Sequence, residues 1–113
     1  MLTIKNIRSL KGTQCGGWII KFISEGVYLY DDDLNTIAPE YYSITFVSHS
    51  GINRGRILIS REYDKDYKNQ YRYIIYLNQK KFDTGGISGN GLKNKDSFIQ
   101  SVVDTLDYQL KNN

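Results

Sequence analysis

One cysteine, one proline, one histidine and one alanine are all that the chain has of those residues. A lone Cys15 cannot close an intramolecular disulfide or build a cysteine-rich zinc site, so the setting implied is a reducing compartment. No stretch approaches the ~20 apolar residues of a membrane span. The bases Lys5, Arg8 and Lys11 are not followed by the apolar run of a signal peptide. The expectation is a cytoplasmic protein with no membrane partner. The single alanine, Ala38, stands beside abundant Ile, Lys, Asn and Tyr. AT-rich coding produces that bias, and a phage or mobile-element origin fits it.

What is present is ordinary for a globular chain of 113 residues: 40% hydrophobic, 24% charged and 13% aromatic, with ten tyrosines. A chain of this length buries about two-thirds of its unfolded surface in one core, so a single domain over 1–113 is expected. The net charge is only +3 but it is unevenly spread. Glu25, Asp31, Asp32, Asp33 and Glu40 occupy 25–40 without a base. Over 54–82 eight bases, Arg54, Arg56, Arg61, Lys65, Lys68, Arg72, Lys80 and Lys81, face only Glu62, Asp64 and Asp66. Such a molecule is a charge dipole more than a basic particle.

Alternation places short strands along most of the chain. One begins at Leu2 and Ile4 and runs to the polar Lys11. A second at 18–23 reads as the first arm of a hairpin, turning at Ser24, Glu25 and Gly26 into Val27, Tyr28, Leu29 and Tyr30, although Gly26 also suits the end of a short helix. A polar loop with Pro39 covers 31–40. Strands at 43–49 and 56–63 flank the turn residues 50–55. The clearest strand is 71–77, with Tyr71, Tyr73, Ile75 and Leu77 on one face and Arg72, Ile74 and Tyr76 on the other. A turn at 78–81 leads to a short strand at Phe82, and the glycines of 84–94 predict a flexible connection. Asn94 then caps a helix whose apolar stripe is Phe98, Ile99, Val102, Val103, Leu106 and Leu110. The fold class expected is α+β, an antiparallel sheet of six to seven short strands in hairpins packed on one C-terminal amphipathic helix.

Candidate chemistry is sparse. Cys15 and His49 are the one thiol and the one imidazole, so a nucleophile–base dyad is considered. The string Gln14-Cys15-Gly16-Gly17-Trp18 is similar to the nucleophile region of small cysteine peptidases of the NlpC and CHAP kinds. In those families the cysteine opens a helix and the histidine lies on a later strand. Here a β-prone run follows the cysteine, and only 34 positions separate it from His49. Asp31, Asp33 and Asn35 match the start of a calcium loop, but Thr36 and Tyr42 stand where Gly and a bidentate Glu belong. The run 86–93 lacks the Lys-Ser/Thr ending of a phosphate loop. No cofactor, metal or catalytic residue is expected.

The basic segment interleaves its Arg and Lys residues with Tyr63, Tyr67, Tyr71, Tyr73 and Tyr76. Cations that track phosphates and rings that stack bases are what single-stranded nucleic acid requires, yet Tyr and Arg also dominate protein–protein contacts. With Tyr71 and Tyr73 assigned to the core, the contact set is Arg56, Arg72 and Tyr76 on the free strand faces, with Arg54, Lys65, Tyr67 and Lys68 in loops. The leading reading is a non-enzymatic binding or inhibitor protein that masks a protein partner. Single-stranded nucleic-acid binding is the alternative, and a cysteine peptidase-like enzyme using Cys15 and His49 the second.

Overall fold

The computed structural model describes residues 7–26, 29–30, 36–38, 41–60, 70–88 and 94–112. A 3-10 turn (Ile7–Leu10) leads into β1 (Gln14–Cys15), β2 (Trp18–Gly26), β3 (Leu29–Tyr30), β4 (Thr36–Ala38), β5 (Tyr41–Ser48), β6 (Arg54–Ser60), β7 (Gln70–Leu77), β8 (Lys80–Ser88) and the helix α1 (Lys95–Lys111). Six strands form one antiparallel sheet in the order β1-β2-β5-β6-β7-β8, and β3 pairs with β4 in a separate ribbon. The α+β architecture expected from the sequence is the one observed.

Each hairpin has a local cause. Gly16, with φ of +56°, turns β1 into β2. Asn78 and Gln79, both at positive φ, make the two-residue turn between β7 and β8, the backbone twist that tight hairpins favour. Asn78 also ties that turn to the neighbouring strand. Its Oδ1 accepts from the Arg54 N–H at 2.9 Å, and its Nδ2 donates to Asn53 Oδ1 at 3.1 Å. At the helix start, Asn94 Oδ1 accepts from the Ser97 N–H at 3.2 Å, the cap expected from the sequence.

The core lies between one sheet face and α1. Trp18, Ile20, Ile44, Phe46, Ile57, Ile59 and Ile75 supply the sheet side, and Phe98, Ile99, Val102, Val103 and Leu106 the helix side. The helix stripe is the one read from the sequence, with Leu110 at its partly buried end. Packing is tight where Leu106 sits over the bare backbone of Gly55, leaving only 2.4 Å to the position of a Cβ. Trp18 closes the layer by donating its indole N–H to Asp107 Oδ1 at 2.8 Å.

Four expectations need correction. Residues 7–10 are a 3-10 turn and not part of a first strand, because Ile7 and Leu10 bury on one side of a single turn; 1–6 lie outside the described residues. The expected hairpin partner of 18–23 is not 29–30, which pair with β4 instead, and 27–28 lie outside the described residues. β2 continues through Ser24 and Glu25 to Gly26 and pairs with β1 and β5. Gly26 is a strand residue facing Tyr41, whose ring comes within 2.7 Å of where a Cβ would stand. Likewise 84–88 are no flexible connection but the second half of β8, paired residue by residue with β7. Gly85 lies under Tyr73, whose Oη is 2.9 Å from the position of a Cβ. The loop expected over 31–40 contains the strand β4. The acidic string at 31–35 and the run 89–93 lie outside the described residues.

Candidate binding face

Strand registers sort the sheet's outer face, the one away from α1, into four rows. The first is Ile19, Val47 and Arg54; the second is Phe22, Thr45, Arg56, Tyr76 and Lys81. The third is Ser24, Ser43, Leu58, Ile74 and Thr84, and the fourth is Gly26, Tyr41, Ser60, Arg72 and Gly86. At about 4.8 Å per strand the second row spans roughly 19 Å. The third row is covered at its centre, where Leu58 is 2% and Ser43 6% exposed. The first, second and fourth rows are open in whole or part, and the first two carry the paired rings and arginines.

Four bases, Arg54, Arg56, Arg72 and Lys81, stand on this face, and among the described residues no carboxylate shares it. The two central arginines are held by rings. Arg54 lies over Phe22 and Arg56 over Tyr76, each with its guanidinium carbon 5.7 Å from the ring centroid. Such a contact contributes about 0.5–1 kcal/mol at an exposed site and orients the guanidinium plane. Arg56 is fixed further because its Nε donates to Ser43 Oγ at 2.8 Å. Its terminal nitrogens remain the edge that a carboxylate or phosphate takes in a two-point contact.

The structure thus brings together Arg54, Arg56, Arg72 and Tyr76 of the residues expected from the sequence. Arg54 opens β6 and is not a loop residue, since its strand pairs with Val47. Lys65, Tyr67 and Lys68 lie outside the described residues. Sequence reading missed Phe22, and the reason is a bulge. Strict alternation from Trp18 and Ile20 sends Phe22 to the core, but the register shifts between Ile20 and Phe22 and leaves the ring 53% exposed on the outer face. Lys81 was missed as a face residue because 78–81 read as a turn.

Cys15 faces the other way. Its Sγ donates to Gln100 Oε1 at 3.3 Å on α1. Burial pushes the thiol above its ordinary value, and the charges of Asp104 and Asp107 push it further. A nucleophilic cysteine needs the opposite shift. His49 is exposed at the start of the β5–β6 turn, with its backbone N–H bonded to the Gly17 carbonyl at 2.9 Å. Among the described residues no three His, Cys, Asp or Glu side chains gather as a metal site, and no helix is long and apolar enough to cross a membrane. Compared with family models, curated proteins and solved structures, the chain matches none.

Proposed function

We propose that the protein is a non-enzymatic binding protein that masks a protein partner, engaging acidic groups of that partner through the first two rows of the sheet's outer face. The observation behind the reading is the pair of guanidiniums laid over Phe22 and Tyr76 on a face whose described residues hold bases and no acid. A nucleic-acid platform uses ring faces to stack bases. Here each ring already carries an arginine, and what points outward is a cationic edge bordered by apolar Ile19, Val47 and Phe22. Pre-oriented arginine beside apolar surface is the composition of a protein interface centre. Cys15, protonated and bonded to Gln100, has no part in this reading.

The test separates the two partners that a cationic face can take. A labelled single-stranded oligonucleotide at physiological salt is expected to show negligible binding. Phosphate recognition would instead give affinity falling with salt at a log–log slope near −0.7 per contact. A native mass spectrum of the protein drawn from its source cell is expected to show a protein bound, released when Arg54 and Arg56 are replaced by alanine, each contact being worth about 2 kcal/mol or more. Submicromolar oligonucleotide binding, abolished by Arg56→Ala with Arg72→Ala, would put nucleic acid first.

A further inference from the structure

At β8 the sheet ends, and nothing among the described residues pairs with that strand's outer edge. Natural sheets guard such edges with lysines and bulges. β8 has both over its first half, in Lys80, Lys81 and the register shift opposite Ile75 and Tyr76. Neither occurs over 84–88, where the pairing with β7 is regular.

Beside this unguarded half lies a cleft of about 410 Å³ between sheet and helix. Tyr73, Ile75 and Ile87 form its floor, Phe98 and Val102 its helix wall, and Ser101 stands on the rim; among the described residues no charged side chain lines it. The cleft exists because α1 lies toward the opposite edge, with Val103 over Gly16 and Leu106 over Gly55. Tyr73 is held in place there by its hydroxyl, which donates to Asp83 Oδ2 at 3.1 Å.

We infer that the free edge over 84–88 and this cleft form one site for an extended segment of another protein, added antiparallel to β8 as a further strand. Backbone pairing to the edge supplies affinity, and alternate side chains of an added strand fall on one sheet face. On the inner face those side chains meet the cleft, so the segment carries an apolar residue at every second position. Antiparallel addition sets its C-terminal end beside Lys80 and Lys81, and the complementary charge there is acidic. A second copy of β8 fits poorly: its inner-face residues are Asp83, Gly85 and Ile87, which would bring a carboxylate and a bare backbone to an apolar cavity. The site is independent of the outer-face reading.

A fluorescein-labelled octapeptide alternating threonine with valine and ending in two glutamates tests it by fluorescence anisotropy. Saturable binding is expected. Methylating the peptide's backbone nitrogens at one alternate set of positions should weaken binding roughly tenfold or more, while the other set leaves it nearly unchanged, because only one set faces the β8 edge. Ser101→Lys, at an exposed rim position, should weaken binding by a similar factor with its thermal melt unchanged. Arg54→Ala with Arg56→Ala should leave peptide binding intact, which keeps this result separate from that of the outer face. The inference is overturned by no saturation up to about 1 mM peptide, by equal effects of the two methylated sets, or by full binding to the Ser101→Lys protein. A concentration-dependent dimer in sedimentation that excludes the peptide would also overturn it and assign the edge to a second copy.

Discussion

On its inner face the six-stranded sheet presents Ile20, Ile44, Phe46, Ile57, Ile59 and Ile75, each no more than 3% exposed. On the outer face the same strands present Phe22, Thr45, Arg54, Arg56, Tyr76 and Lys81, open to solvent in whole or part. Alternation along a strand therefore separates two tasks: one side holds the domain together, and the other is left to chemistry that stability does not dictate. The separation is incomplete at one point. Leu58 lies on the outer side yet is 2% exposed and stands apart from the main core cluster. With Ser43 beside it at 6%, its burial interrupts the free surface at the middle of the outer face, with open positions on both sides.

That contrast can be broken first at the helix. Val103 is 1% exposed against the inner face, and Val103→Asp buries a charge with no partner, a class of change that unfolds a marginally stable domain. The expected outcome is loss of the cooperative thermal transition by circular dichroism; a melt within a degree or two of the parent would mean that the helix does not cover the sheet. Leu58→Ala sharpens the contrast. A buried leucine truncation costs about 2–5 kcal/mol, whereas Thr45→Ala in the open second row is expected within about 0.5 kcal/mol. Chemical denaturation of the two variants measures the difference, and equal midpoints would make the whole outer face solvent-exposed.

The smallest effect is alkaline. Burial, the hydrogen bond to Asp83 and the charge of that carboxylate raise the Tyr73 phenol above its ordinary 10.0. Burial, then Asp104 and Asp107, raise the Cys15 thiol above 9.0. Both groups hold their protons more tightly folded than unfolded. Their contribution is complete below those ordinary values and is lost as pH rises through the raised ones. The melting temperature should therefore fall with rising pH above about 9, and less steeply in a Cys15→Ser, Tyr73→Phe protein. An identical slope in that variant would remove these groups as the cause. Cys15→Ser alone should leave the fold and any outer-face binding unchanged.

The helix and β7 were legible in the sequence because their residues obey one period each. Phe98 to Leu110 keeps a helical stripe, and Tyr71, Tyr73, Ile75 and Leu77 alternate without a break. Where the reading failed, a neighbour distant in sequence had decided the local structure. Gly26 and Gly85 look like interruptions until Tyr41 and Tyr73 are seen lying across them; a bare backbone there is what lets each ring settle on the strand. Phe22 changes face at a bulge that no composition signals. Of the candidate face, Arg56, Arg72 and Tyr76 followed from alternation, whereas Arg54 read as a loop residue, and its coupling to Phe22 depends on β5 lying between their strands, which only the strand order reveals.

Strand order also bears on how the chain assembles. From β5 to β8 every neighbour in the sheet is the next strand in the chain, so this meander closes through the shortest loops the topology offers, and contacts of that kind form early. α1 follows all the strands. During synthesis the inner face of the meander exists before the helix that covers it, leaving Ile57, Ile59 and Ile75 without their cover until α1 has been made. Aggregation of nascent or truncated chains is the hazard that order creates, and a chain shortened before Lys95 should collect in the insoluble fraction while the full chain does not.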